Sequence, residues 1–215
     1  RQAHGYFLAQ LLDDRINARS DIYGVHPISF ITDLIESINN RNIILDIRLS
    51  LYDGLESREV ELSRKSKLIE QIIKTGIDMI SISNGIYDFN KQFIYPPIEW
   101  GHGPFIQDVV PLATKFKNII FNIAGNIWDP RRIPQNVPNN LSFSIARALI
   151  ADPSLIKKIM SGNSAEIKWC VRKGSCYYYT RGYTEIYCPF DSNLNIPKRS
   201  NCECSSTLKA QQSAP

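Results

Sequence analysis

A chain of 215 residues, 43% of them hydrophobic, is long enough to bury a substantial core, which excludes a disordered or fibrous protein. Its 25 basic and 21 acidic residues leave a formal charge of +4 without a sustained Lys/Arg block, so neither a nucleic-acid nor a membrane partner is called for, while phosphate on a small-molecule ligand suits the balance. No apolar run has the length of a membrane span and no signal-peptide pattern opens the chain, which makes a cytoplasmic location the expectation.

The chain starts at Arg1, without Met, in a segment that already reads as structured, and a natural start upstream is expected. Ile28, Ile31, Leu34, Ile35 and Ile38 recur at helical spacing. The segment 42–48 then reads as a strand buried on both faces, because it is short, β-branched and almost continuously apolar. A second helix carries Leu68, Ile69, Ile72 and Ile73 and stops near Gly76.

The alternation repeats through a strand at 77–83, a helix with Ile106, Val109, Val110, Ala113 and Phe116, strands at 118–124 and 141–145, and a helix running through Leu149, Leu155, Ile156 and Ile159. Helix-separated apolar strands predict a parallel α/β sheet, either doubly wound or part of a (β/α)₈ barrel; four strands are half of such a barrel. After Gly162 the composition changes to a Tyr run at 177–179 and a polar tail beyond Pro197. All five cysteines, Cys170, Cys176, Cys188, Cys202 and Cys204, fall in the last quarter, which favours a local site over a disulfide scaffold.

In a parallel barrel, ligands meet the C-terminal ends of the strands. Gly125 and Asn126 follow one strand and Ala146 and Arg147 follow the next, a pattern suited to a phosphate cradle of bare backbone and guanidinium; a turn glycine and a solvated arginine are the plain alternatives. Arg48 ends an apolar run and needs either an electron-rich ligand or an ion pair such as Asp46. His4 and Tyr6, two residues apart, would share one side of a strand. Cys170, Cys176 and Cys188 are spaced like a cluster-binding loop rather than a zinc ribbon, with unused thiols as the alternative.

Five segments, His4-Gly-Tyr-Phe-Leu-Ala-Gln10, Asn17-Ala-Arg-Ser-Asp-Ile-Tyr-Gly24, Ile47-Arg-Leu-Ser50, Ala124-Gly-Asn126 and Ala146-Arg-Ala-Leu-Ile-Ala-Asp-Pro153, occur in an order that resembles the old yellow enzyme family. The resemblance is closer to its iron–sulfur branch, the 2,4-dienoyl-CoA reductase and trimethylamine dehydrogenase type, and runs from Arg1 to about Asn195. It implies the C-terminal half of an FMN-binding (β/α)₈ TIM barrel over residues 1–162, a cysteine loop over 163–196 and a polar tail over 197–215, with the N-terminal half of the barrel supplied by an upstream region or another chain.

The same resemblance implies that Arg48 contacts the flavin ring near N1 and O2. It assigns the FMN phosphate to Gly125, Asn126, Ala146 and Arg147, the proton to Tyr6 and the substrate carbonyl to His4. The implied reaction is hydride transfer from reduced flavin to an activated C=C bond, with electrons from NAD(P)H or an electron-donor protein, since no G-x-G-x-x-G domain follows the loop.

Several positions depart from the pattern. Arg1 stands where the first substrate-holding His is usual, Asp88 is the nearest counterpart of a second catalytic His, and the Gly-Gly-Ser-x-Glu-Asn-Arg stretch is shortened to Val25-His-Pro27. Of the four cysteines of a [4Fe–4S] cluster, Cys170, Cys176 and Cys188 match three and the second position falls on Lys173, so the resemblance favours a lost or weakened cluster. A degenerate, non-catalytic barrel subunit is therefore the alternative reading, and a cysteine-rich metal module the third.

Overall fold

The computed structural model describes residues 7–38, 42–86, 89–172, 176, 186–188 and 190. They fall into two units, one running through Ile145 and one beginning at Ala146. The first is built on a single parallel sheet of four strands, β1 (Asp46–Ser50), β2 (Met79–Ser83), β3 (Ile120–Ala124) and β4 (Leu141–Ser144), paired in chain order.

Three helices precede the sheet, α1 (Phe7–Leu11), α2 (Ile22–Val25) and α3 (Pro27–Glu36); α4 (Arg58–Ile73) joins β1 to β2, and α5 (Lys91–Ile94) and α6 (Ile106–Lys115) lie between β2 and β3. A doubly wound sheet reverses its strand order at a switch point, whereas this order runs 1-2-3-4 without reversal. The architecture is thus singly wound α/β, the C-terminal half of a (β/α)₈ barrel.

Local chemistry explains the helix ends. Pro27 opens α3, where its missing N–H costs nothing, and Ser57 caps α4 by accepting from the Val60 N–H. Beyond α4 the chain turns at Gly76, whose φ of +90° is available to glycine without strain. The side-chain amide of Asn140 donates to Ala113 O, Phe116 O and Ile119 O at 2.8–3.1 Å, fastening the end of α6 to the approach of β3.

The core lies on one face of the sheet only. Ile47 and Leu49, Ile80 and Ile82, and Phe121 and Ile123 alternate along their strands and pack with Ile31 and Ile35 of α3, Ile69 and Ile72 of α4, and Val109 and Leu112 of α6. Each of these fully buried side chains contributes about 1.5–3 kcal/mol.

The structure corrects three sequence expectations. The first strand is Asp46–Ser50 rather than 42–48: Ile43 and Ile44 stay exposed, and the Leu45 N–H is taken by Asp78 Oδ2 at 2.8 Å just before pairing begins. The strands at 77–83 and 118–124 likewise begin two residues later than expected. In place of continuous burial on both faces, apolar residues alternate with less buried polar ones along β1 and β2 until Ser50 and Ser83, which are buried at the C-terminal ends.

In the second unit, the single helix expected through Ile159 is two, α7 (Arg147–Ala151) and α8 (Leu155–Met160). Pro153 disfavours a helical Asp152, which is extended at φ −142° and ψ 98°. The buried Asp152 carboxylate accepts from Ser154 N, Lys158 Nζ and Lys168 N at 2.7–3.0 Å, joining α8 to the segment beyond it.

Candidate functional site

The sheet's second face is polar. In a parallel ladder, register partners point to the same side, so the pairing Arg48↔Ser81, Ser81↔Asn122 and Asn122↔Ser142 lays one row of a guanidinium, two hydroxyls and an amide across all four strands. The row above it, at the C-terminal ends, reads Ser50, Ser83, Ala124 and Ser144.

Hydrogen bonds fix these side chains before any ligand arrives. Ser81 Oγ donates to Asp46 Oδ2 at 2.8 Å, Asn122 Nδ2 donates to Ser142 Oγ at 2.9 Å, and Ser144 Oγ donates to Asn122 Oδ1 at 2.6 Å. In a closed barrel this face lines the interior, and it is here that Arg48 sits, half-buried.

At the ligand end of β1 and β2 the loops are tightly built. Tyr52 N–H donates to Asn84 Oδ1 at 2.9 Å and Gly85 N–H to Tyr52 O at 2.7 Å. That contact fixes the Asn84 amide so that its buried Nδ2 finds no acceptor among the described residues. Tyr52 meets Phe93 edge-on at 4.8 Å, and Phe93, Trp100 and Phe105 continue an aromatic cluster at 5.3–6.3 Å.

Beyond β3, Gly125 has φ +136° and Asn126 φ +49°. A Cβ on Gly125 would stand 3.1 Å from the Phe105 ring, so the backbone there stays bare. The Asn126 amide donates to Gly101 O at 2.7 Å, so the side chain braces the preceding loop and the backbone is what this residue can offer a phosphate. Asp129 is held below the usual carboxylate range by its hydrogen bonds from Arg131, which outweigh burial.

In the second unit, Arg147 is the first residue of α7 and follows Ala146. Cys170, Cys176 and Cys188 are free, half-buried thiols. Burial pushes the Cys176 thiol above its ordinary range, with Arg147 pulling the other way and the neighbouring Cys170 and Cys188 adding to the rise. Among the described residues no group of three His, Cys, Asp or Glu side chains is placed to hold a metal ion. Arg1, His4, Tyr6, Asp88, Lys173, Cys202 and Cys204 lie outside the described residues.

Sequence reasoning missed the polar row, although Ser81-Ile-Ser83, Phe121-Asn-Ile123 and Ser142-Phe-Ser144 carry it as period-two alternation. It also missed Glu61 and Asn90, whose backbone contacts have no sequence signature.

A singly wound α/β half-barrel with a polar, cation-bearing inner face is the class of ligand-binding barrel that these features define. The chain belongs to the NADH:flavin oxidoreductase / NADH oxidase family, which it matches over residues 1–166.

Among curated relatives, it is 26% identical over 173 residues to the NADH-dependent flavin oxidoreductase iliE of Hypocrea jecorina (strain QM6a), covering 74% of this chain and 43% of that one. To the NADH oxidase of Thermoanaerobacter brockii it is 25% identical over 179 residues, covering 79% and 27%. The chain thus spans less than half the length of either.

Two solved structures share the fold. A 2-naphthoyl-CoA reductase in complex with 2-naphthoyl-CoA superposes with a TM-score of 0.64 at 19% identity over 82% of this chain and 28% of its own. The 6-hydroxypseudooxynicotine amine oxidase of Pseudomonas geniculata N1 gives 0.62 at 17% identity over 79% and 26%. No helix among the described residues is long and apolar enough to cross a membrane.

Proposed function

We propose that this chain forms the C-terminal half of an FMN-dependent NADH oxidoreductase of the old yellow enzyme type. The observation that carries the reading is Arg48, a cation on the polar inner face and in one row with Ser81, Asn122 and Ser142, where a guanidinium suits an electron-rich ring edge. The donor chemistry and the bare backbone at Gly125 fit a flavin mononucleotide. Gly125, Asn126, Ala146 and Arg147 are the residues we assign to its phosphate.

When bound, FMN supplies a hydride to an activated C=C bond of a small-molecule substrate. His4 holds the substrate's acceptor oxygen and Tyr6 delivers the proton to the second carbon. Reducing equivalents come from NAD(P)H or an electron-donor protein, and the remaining strands of the barrel come from an N-terminal half on the same or another chain. Lys173 in a cysteine position supports a lost or weakly held [4Fe–4S] cluster.

A visible absorbance spectrum and released-flavin analysis of the protein with its barrel complete test the reading. Stoichiometric FMN bleached by NADH is expected; a colourless, flavin-free protein would overturn it. Arg1, Asp88 and Lys173 favour the competing reading of a non-catalytic barrel subunit, and intact assembly with no NADH-driven flavin reduction would establish that one instead.

A further inference from the structure

The turn after β1 is gripped from both sides, and the proposed chemistry uses neither grip. On its N–H side lies Glu61, wholly buried. Its Oε2 accepts from Asp53 N at 2.6 Å and Gly54 N at 3.0 Å, and its Oε1 from Leu55 N at 2.6 Å and Glu56 N at 2.9 Å. On the carbonyl side, Asn90 Nδ2 donates to Asp53 O at 2.7 Å and Gly54 O at 3.3 Å.

Side-chain charges reinforce the turn. Arg15 lies 3.6 Å from Glu61, Lys65 Nζ lies 3.3 Å from Asp53 Oδ2, and Ser50, the last residue of β1, donates to the other Asp53 oxygen. Gly54 has φ +74° and a Cβ there would stand 2.6 Å from Phe93 and 2.8 Å from the Asn90 amide, so the turn keeps a glycine against the clamp and the aromatic cluster.

An ordinary β-turn is closed by a single backbone hydrogen bond or none. Burying an ionised carboxylate to hold a four-residue turn is costly in desolvation, and here four N–H donors and Arg15 offset that cost. This turn stands at the C-terminal end of a parallel strand, the end where barrel ligands bind, and Asn90 reaches it from the segment after β2, tying two ligand-side loops together.

We infer that Glu61 and Asn90 are positioning residues that hold the 53–56 turn as a rigid wall of the substrate mouth, with Leu55, 38% exposed, as the apolar contact it presents. The inference rests on the flavin-enzyme reading above. A wall ordered in advance spares the incoming acceptor the entropy of freezing it.

The test uses the flavin-loaded protein with its barrel complete, NADH as donor and 2-cyclohexen-1-one as the acceptor probe. Asn90→Ala should speed amide exchange across 53–56 and raise KM for the probe about tenfold, the equivalent of re-ordering one backbone residue on binding. Turnover at saturation and the flavin spectrum should stay as in wild type. Asn90→Asp keeps the shape without the donor and should behave like Asn90→Ala, which covers the case in which the alanine variant does not fold. Glu61→Gln, which turns an NH₂ toward two of the four N–H groups, should act in the same direction.

Unchanged exchange in these variants would overturn the clamp. Faster exchange with an unchanged KM would reduce both residues to a purely structural role. A wild-type protein without flavin would overturn the underlying reading and the reaction role with it, while exchange would still decide the clamp.

Discussion

Ser81 and Asp46 meet across the β1–β2 pair, the serine hydroxyl donating to the carboxylate at 2.8 Å. Asp46 therefore already answers to the neighbouring strand, on the face that also carries Arg48. The inner face combines a cation with side chains held in place by one another, which is the preorganisation that binding of an electron-rich ring needs.

Removing the cation should be felt at the flavin. Arg48→Ala is expected to weaken FMN retention tenfold or more, about the worth of one charged hydrogen bond. Arg48→Lys should recover only part of it, since an ammonium lacks the planar fork. Flavin titration of the apoprotein, followed by the rate of NADH-driven bleaching, measures both.

Glu61→Ala leaves four backbone N–H groups without their acceptor and takes one of three carboxylates from Arg15, which keeps Asp13 and Glu56. We expect a loss of about 3 kcal/mol or more in denaturant unfolding. A loss within 1 kcal/mol would mean that water replaces the carboxylate at little cost.

Acid should undo the same network. Burial pushes Glu61 upward from its ordinary 4.5, but the N–H groups of Asp53, Glu56, Leu55 and Gly54 outweigh it and hold the carboxyl low. Asp13 is likewise held below its ordinary 3.8, with burial overcome by Arg15 and Lys65. Because both folded values lie below the unfolded ones, the stabilisation is fully present above about pH 5 and fades as pH falls through the folded values. Urea midpoints measured across that range should drop on the acid side, and Glu61→Gln should flatten the drop.

Gly125 and Gly76 make a contrast. Both have positive φ, at +136° and +90°, but a Cβ at Gly125 meets Phe105 at 3.1 Å while one at Gly76 meets nothing within 4 Å. Gly76→Ala should cost about 1 kcal/mol from the backbone alone, and Gly125→Ala about 1–3 kcal/mol. Only the second should also lower FMN retention, as thermal melts with and without added FMN will show.

Tyr6→Phe tests the proposed proton donor directly. Flavin reduction by NADH should stay normal while transfer to an activated alkene falls about 10²–10⁴-fold. Equal rates in both half-reactions would remove Tyr6 from the chemistry.

Much of this protein is written locally. Apolar residues recurring at helical spacing located α3, α4 and α6, and short apolar or alternating runs located all four strands, because burial against a sheet requires those periods whatever the topology. Ordered short segments such as Ile47-Arg-Leu-Ser50 and Ala124-Gly-Asn126 carried the family, since each lies at its own strand end, the end at which parallel barrels bind ligands.

What the tertiary structure alone decided depends on residues far apart in the chain. Strand order chose a singly wound sheet over a doubly wound one, and register aligned Arg48 with Ser81, Asn122 and Ser142 from four separate strands. The grip of Asn90 on Asp53 O joins positions 37 residues apart through a main-chain atom that every residue possesses, so no side-chain pattern could announce it. Side-chain periodicity is set by local geometry, but partners for backbone groups are set by the packing of the whole unit.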